Sequence, residues 1–264
     1  NTTVNSAGSM LLDGGGTATG TTVCSGGQLN GFTLQEDTYF SSIINGAVNI
    51  SNAIVSGAFT EIVDGAVATN TSVTSGSLSV WNGGIANNTI LADSGRMYLK
   101  EGGIANDTTV NGNYYYGGMY IFSGGTANRT NVNNGSMYIS NGGLANSTVI
   151  NGGRVFVSEG GAANNTLLNG GSMGIVSGGM AKNTVINSFG GLYVSNGGMA
   201  IETSVGVGGF LHVSSGGTAT ITFNPWQGQL VSSAGATVTY LERDANVYWG
   251  NGTLRIIGKT DIAD

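Results

Sequence analysis

A pair of adjacent glycines recurs along most of this chain at nearly constant spacing. Successive pairs are 18, 19 or 22 residues apart. Such regularity is typical of repeat proteins, in which one unit cannot bury its apolar face alone and must stack on its neighbours. We call the first glycine of each pair the anchor. The anchors are Gly83, Gly102, Gly124, Gly142, Gly160, Gly178, Gly197 and Gly216, and Gly65 begins a degenerate pair before them.

Residue types also repeat at fixed distances from the anchor. Alanine follows it by three positions, threonine by six and an apolar residue by eight, as in Ala145, Thr148 and Ile150. Apolar residues also precede the anchor by five and three positions, as in Val155 and Val157. Alternation over short runs bounded by glycine is typical of half-buried strands, and no run has the spacing of an amphipathic helix.

A unit of this length supplies two or three short strands with tight turns. Stacking such units at a strand spacing of about 4.8 Å buries a continuous core and pairs each unit with the next. We therefore predict an all-β fold, a parallel β-helix solenoid with coils of 18–19 residues. Residues 57–222 are the predicted regular repeats, residues 1–56 degenerate coils or a cap, and residues 223–264 irregular C-terminal coils.

The composition argues against several functions. Eight basic and 14 acidic residues give a net charge of −6, which disfavours nucleic acid as a partner. The single cysteine, Cys24, and the single histidine, His212, leave no basis for a metal site, an internal disulfide or a cofactor. Scarce cysteine with abundant Gly, Asn, Ser and Thr is typical of a secreted bacterial surface protein.

An enzyme is the main alternative class, because some β-helices degrade polysaccharides with clustered carboxylates. The acidic residues here stand at different phases of the repeat. Glu101 and Glu159 share a phase but lie three coils apart, about 14 Å. We therefore predict no catalytic residues, and a passive structural spacer is the other alternative. An ice-binding solenoid would need regular T-x-T rows, which are confined to Thr218 to Thr222 and scattered positions.

The unit GG-x-A-x-x-T-x-V, followed by x-x-G-G-x-x-x-V, resembles the passenger repeats of AIDA-type autotransporter adhesins. The resemblance covers about residues 57–222. It implies a right-handed β-helix on the bacterial cell surface, as the extracellular passenger of an outer-membrane autotransporter. It also implies autoaggregation, biofilm formation, virulence, and host-cell adhesion or invasion. The implied partners are the same protein on neighbouring cells, the host cell surface, and a cytoplasmic heptosyltransferase that modifies serines before export.

Serines stand beside the corners, one or two positions before the anchor. The resemblance implies that some of them carry heptose, whereas serine is also common in turns because it bonds nearby backbone. The candidates are Ser123, Ser140, Ser158, Ser177, Ser195, Ser214 and Ser215.

Aromatic residues stand four positions before the anchor, on the predicted outer face. Stacked coils should align them as a stripe that binds sugars or another cell's adhesin, or that only stabilises the sheet. The stripe consists of Tyr98, Tyr120, Tyr138, Phe156 and Tyr193, with His212 one coil further.

Asparagines form a second row, four positions after the anchor. Each begins an N-x-T triplet, which we interpret as a by-product of the repeat rather than as a glycosylation signal. A polar ladder of this kind could join two identical rods side by side through many weak bonds. The row consists of Asn87, Asn106, Asn128, Asn146 and Asn164.

The 22-residue interval contains an insertion, NGNYYYGG, from Asn111 to Gly118. Its three tyrosines, Tyr114 to Tyr116, form either a binding loop or a tolerated surface bulge.

Overall fold

The computed structural model of the chain contains strands and, within the residues it describes, no helix. It describes residues 48–57, 59–113, 116–222 and 228–241, residues 9 and 10, and the backbone of the strands outside these ranges. No helix in this part of the chain is long and apolar enough to span a membrane. Cys24, Tyr114, Tyr115 and Pro225 lie outside the described residues.

Each turn of the solenoid, which we call a coil, contains three strands. A four-residue strand leads to the double glycine, a strand centred on alanine follows, and a shorter strand completes the coil. Equivalent strands of successive coils pair in parallel. We name the three resulting stacks the aromatic sheet, the alanine sheet and the short sheet. The last two join through one long strand, Met199–Val205, which runs through both.

The aromatic sheet consists of Ser41–Ile44, Phe59–Ile62, Ser77–Val80, Arg96–Leu99, Gly118–Ile121, Ser136–Ile139, Arg154–Val157, Ser172–Ile175, Gly191–Val194, Phe210–Val213 and Gln229–Ser232. The alanine sheet consists of Ser9–Leu11, Gln28–Asn30, Asn49–Ser51, Val67–Thr69, Ile85–Asn87, Ile104–Asn106, Thr126–Asn128, Leu144–Asn146, Ala162–Asn164, Met180–Lys182, Met199–Val205, Thr218–Ile221 and Thr237–Tyr240. The short sheet consists of Thr33–Gln35, Ile54–Ser56, Ser72–Val73, Ile90–Leu91, Thr109–Val110, Asn131–Val132, Val149–Ile150, Leu167–Leu168 and Val185–Ile186. Thr2–Val4 pairs in parallel with Thr21–Val23, and Asn246–Trp249 pairs antiparallel with Gly252–Arg255.

Pairing in register carries identical residue types into columns. Met97, Met119 and Met137 are partners on successive strands of the aromatic sheet. The 22-residue interval keeps this register, because the insertion lies in the turn before Gly118 and adds nothing to a strand. The insertion therefore does not shift the columns.

The core is the column of apolar side chains that point into the rod. In one coil Ala145, Ile150, Val155 and Val157 are at most 1% exposed, as the alternation predicts. Removing a Val, Leu, Ile or Met side chain from water contributes about 1.5–3 kcal/mol. Since every coil repeats these contacts, the core continues through the regular repeats.

The double glycine is required by the corner between the aromatic and alanine sheets. At the corner that follows Val157, Gly160 has a φ of 77°, in the left-handed region that glycine adopts freely. A Cβ on the next residue, Gly161, would lie 2.3 Å from the carbonyl oxygen of Ile139 in the preceding coil. The first glycine thus supplies the turn, and the second allows the close approach of two backbones.

The repeated threonine points into the core. Thr148 is 1% exposed, and its hydroxyl has no hydrogen-bond partner among the described residues. The equivalent threonines from Thr71 to Thr203 are in the same situation. A buried unpaired polar group costs about 1–3 kcal/mol, so this column lowers the stability of the rod.

The predicted parallel β-solenoid with coils of 18–19 residues is confirmed. Its right-handedness and the three domain boundaries stay predictions.

Replacing the buried hydroxyl by a methyl group should stabilise the rod. We expect Thr148→Val to raise the melting temperature measured by circular dichroism, because valine has the same shape without an unpaired polar atom. Thr126→Val is the matched control, since Thr126 points outward on the alanine sheet and its change should be nearly neutral. A lower melting temperature for Thr148→Val alone would contradict the cost assigned to the hydroxyl.

Candidate functional site

The aromatic sheet carries a column of stacked rings on its outer face. Tyr98, Tyr120, Tyr138 and Phe156 occupy the same position on four successive strands. Their ring centroids are 5.1, 5.0 and 5.3 Å apart, with interplanar angles of 21°, 10° and 13°. Burial between its neighbours raises the pKa of the Tyr120 phenol, and the adjacent Tyr138 adds to this effect. The ring faces contact each other, and mainly the ring edges remain for a partner.

The column is interrupted after Phe156. Gly174 holds the next position, so the stripe predicted to run on to Tyr193 is not continuous. A second group begins at Tyr193, whose ring lies 5.6 Å from Phe210 at 53° and 6.4 Å from His212 at 76°. The physical reason is simple: one residue without a side chain removes a ring and ends the stack.

The predicted asparagine row is a ladder of side-chain hydrogen bonds on the alanine sheet. The Nδ2 of Asn106 donates to the Oδ1 of Asn87 at 2.9 Å, and that of Asn128 donates to Asn106 at 3.0 Å. Asn146 and Asn164 continue the ladder with bonds of 3.1 Å. Each inner amide keeps one N–H for another partner. The threonine of each N-x-T triplet is buried, consistent with a by-product of the repeat.

A second asparagine ladder lies nine positions after the anchor, and the sequence analysis missed it. Its Nδ2 to Oδ1 distances along the rod are 3.0, 2.8, 3.2 and 2.8 Å. The signal was available, because asparagine occupies this position in five successive units. The ladder consists of Asn111, Asn133, Asn151, Asn169 and Asn187.

An outward aliphatic row on the alanine sheet was also missed. It stands two positions after the anchor, beside the first asparagine ladder, and its most exposed members are Met180 at 38% and Met199 at 43%. From the coil of Gly83 to that of Gly160, these two rows contain no charged residue. The aliphatic members include Val67, Ile85, Ile104, Leu144, Met180 and Met199.

The candidate serines divide into two groups by exposure. Ser123, Ser177 and Ser215, immediately before the anchor, are exposed at the corner. The four serines two positions before the anchor, Ser140, Ser158, Ser195 and Ser214, are half-buried. An enzyme therefore reaches the first group more easily than the second.

An ion pair lies in the left-handed corner before the short sheet, where other coils have asparagine side chains that hydrogen-bond to each other. The Nε and Nη2 of Arg129 bind the two carboxylate oxygens of Asp107 at 2.7 and 2.8 Å. The hydrogen bond from Arg129 lowers the pKa of the Asp107 carboxyl, so the contribution of the pair is fully present above the ordinary pKa of aspartate and is lost as the pH falls through the lowered pKa. Because both groups are exposed, the pair adds little stability.

The described residues contain no group of three or more His, Cys, Asp and Glu side chains that could hold a metal ion. Of the predicted tyrosine insertion, Tyr116 is described, and it borders a cavity.

Comparison with known proteins identifies one family model and a similar solved structure. Residues 75–136 and 152–209 match the family model AIDA, described as an adhesin of the bacterial autotransporter system, probable stalk. The fold is similar to the crystal structure of a TibA fragment hyper-glycosylated by TibC catalysis, with a TM-score of 0.76 and 31% sequence identity. This alignment covers 90% of the chain and 89% of the TibA fragment. A search of curated proteins finds no match.

Filling the gap in the aromatic column should stabilise the rod. A Cβ on Gly174 would lie 3.4 Å from Cδ1 of Phe156, an ordinary contact, so the backbone accepts a side chain here and we expect Gly174→Tyr to place a ring against Phe156. Stacking contributes about 0.5–1.5 kcal/mol, and we expect a melting temperature a few degrees higher.

The matched control is Gly174→Ala, which removes the conformational cost of glycine in a strand without adding a ring. If the tyrosine variant melts no higher than the alanine variant, the rings do not stabilise the sheet.

Proposed function

The chain belongs to the family of AIDA-type autotransporter adhesin passengers, and from this premise we propose that it joins bacterial cells by self-association. Autoaggregation and biofilm formation follow from that activity. Contact with host cells, leading to adhesion and invasion, is the second part of the proposal. The chain acts by binding and not by catalysis, at the bacterial surface where passengers of this family are exposed.

The outer face of the alanine sheet is the surface that supports self-association best. Over five coils it carries an aliphatic row, interrupted by Thr126, beside an asparagine ladder, without a charged side chain. The outer face of the aromatic sheet, in contrast, carries the cations Arg96 and Arg154. An uncharged apolar row loses little on desolvation, so it is the better contact between two copies of an acidic chain.

Periodicity makes this face complementary to a second copy. Identical rods repeat their side chains at the same strand spacing, about 4.8 Å, so one matched contact brings the others into place. Each inner asparagine of the ladder has one N–H group that the ladder does not use, and this group can donate a hydrogen bond across the interface. Each contact is weak, but contacts in series along a rod, and between many rods on two cells, multiply the strength.

A settling assay tests this surface. Cells that display the passenger should clump and sediment, and cells that display Ile104→Asp with Leu144→Asp should remain in suspension, because the carboxylates of two rods would be desolvated against each other. Mixing displaying cells with labelled cells that lack the passenger shows whether the contact is between like chains.

The matched control is Ile90→Asp with Val185→Asp, which adds the same charge to outward residues, 46% and 41% exposed, on the short sheet. Clumping should persist in this control. If both double variants lost clumping equally, the choice of the alanine sheet would be refuted. If the parent cells did not clump, a spacer or a host-receptor binder would be favoured.

We also propose that a cytoplasmic heptosyltransferase modifies serines of this chain before export. The similar TibA fragment was glycosylated by TibC catalysis, and Ser123, Ser177 and Ser215 are exposed at corners of this rod. A hydroxyl at a corner projects from the rod, where a transferase can reach it.

Mass spectrometry of the passenger tests this modification. Coexpression with a heptosyltransferase of the TibC type should add heptose masses that map to peptides containing Ser123, Ser177 or Ser215. The triple variant with alanine at these positions should lose most of the added mass, whereas alanine at the half-buried Ser140, Ser158 and Ser195 should lose less. An unmodified parent chain would refute the proposal.

A further inference from the structure

An open cavity of about 420 Å³ lies beside the insertion, where the second asparagine ladder begins. Its lining includes Asp93, Ser94, Asn111, Tyr116 and Asn134. The volume is within the range of sites that hold small ligands. Among the described residues, the lining combines a carboxylate, amides, a hydroxyl and an aromatic ring, and it includes no cationic side chain.

The base of the insertion is fixed by the backbone. The amide of Asn113 donates to the carbonyl oxygen of Asp93 at 2.5 Å, and the amide of Gly117 donates to that of Asn113 at 3.0 Å. Nε of Arg96 donates to the carbonyl oxygen of Tyr116 at 2.8 Å. A Cβ on Gly117 would lie 3.1 Å from Cα of Gly112, so the two ends of the insertion meet closely. Tyr116, 61% exposed, is thus held at the rim of the cavity.

Asn111, the first member of the second asparagine ladder, has hydrogen-bonding groups that the ladder does not use. Asn111 accepts a bond from Asn133, but the equivalent position of the preceding coil is Ala92, which offers no acceptor. Within the described residues, no bond uses the Nδ2 of Asn111 or the carboxylate of Asp93. Asp93 has a φ of 49°, and its backbone carbonyl is the acceptor that anchors the insertion, so the residue is fixed in place.

We propose that this cavity binds a neutral sugar ring at the end of a glycan. A pyranose has many hydroxyl groups and one face of C–H bonds. The Asp93 carboxylate would accept charge-assisted bonds from sugar hydroxyls, and the Asn111 amide would donate to a sugar oxygen. The exposed ring of Tyr116 would pack against the C–H face. This inference deepens the host-contact part of the proposed function and rests on it for its biological setting.

The negative charge of the cavity favours neutral sugars over acidic ones. Asp93 is the charged residue among the described residues of the lining, and the chain as a whole carries a net charge of −6. A sialic acid or uronic acid would place a second carboxylate beside that of Asp93, which is unfavourable, and Arg96 at the rim is already bound through its Nε to the carbonyl oxygen of Tyr116. A neutral ring could come from a host glycan or from heptose on another copy of the chain, and the two sources require different probes.

Saturation-transfer NMR on the purified, unmodified chain tests the site. The probes are the methyl glycosides of mannose, galactose and glucose, a free heptose, and N-acetylneuraminic acid. We expect at least one neutral sugar to receive saturation, and the acidic sugar to receive none. Preference for a hexose indicates a host glycan, and preference for heptose indicates a neighbouring copy.

Two variants test whether Asp93 and Tyr116 contact the sugar, and each has a matched control. Asp93→Asn and Tyr116→Ala should each weaken binding about tenfold or more. Asp64→Asn and Phe189→Ala should leave it unchanged, because Asp64 is also a left-handed corner carboxylate and Phe189, 89% exposed, is another surface ring. The proposal would be overturned if no neutral sugar received saturation or if only the acidic sugar bound. It would also be overturned if both test variants bound the sugar as strongly as the parent chain. Because monosaccharides and a purified chain are used, such a failure leaves the settling assay unaffected.

Discussion

The backbone hydrogen bonds between successive coils are the interaction on which the rest of the structure depends. Bonds such as that from the amide of Val149 to the carbonyl oxygen of Thr130, at 2.8 Å, recur in every regular coil. They fix the rise of the rod at the spacing of strands in a sheet. They also fix the register, and therefore place each residue of one unit over its equivalent in the next. A rod of this kind needs no helix and no disulfide, because every coil is both supported by a neighbour and a support for the next.

This stacking determines the chemistry of the surface. Outward rows become columns of like groups, so asparagines bond to asparagines and rings stack on rings. Stacking of identical side chains stabilises the rod, and it also produces long uniform surfaces, each with its own character. The alanine sheet presents an uncharged stripe, the aromatic sheet a column of rings, and the corners exposed serines. A protein that acts by many weak contacts needs such repeated surfaces more than it needs one deep site.

The exceptions to the repeat mark individual positions on an otherwise uniform rod. Gly174 ends one column of rings, and the pair of Asp107 and Arg129 replaces neutral amides by charges. The insertion before Gly118 leaves the register intact and borders a cavity at the end of a ladder. Since the repeat itself cannot distinguish one coil from another, recognition of one particular coil must use these interruptions.

The sequence alone determined the fold and the direction of the side chains. The spacing of glycine, alanine and threonine predicted the coil, and the alternation of apolar residues predicted which side chains form the core, because a repeat that short can bury them only by stacking. Tertiary structure decided what the outward residues do. Gly174, 18 positions along the chain, decides that the column of rings ends at Phe156, and Ala92, 19 positions before Asn111, decides that Asn111 keeps a free amide. The closed base of the insertion likewise depends on a backbone bond to Asp93 in the preceding coil. These contacts join neighbouring coils, and only the register of the folded rod brings their members together.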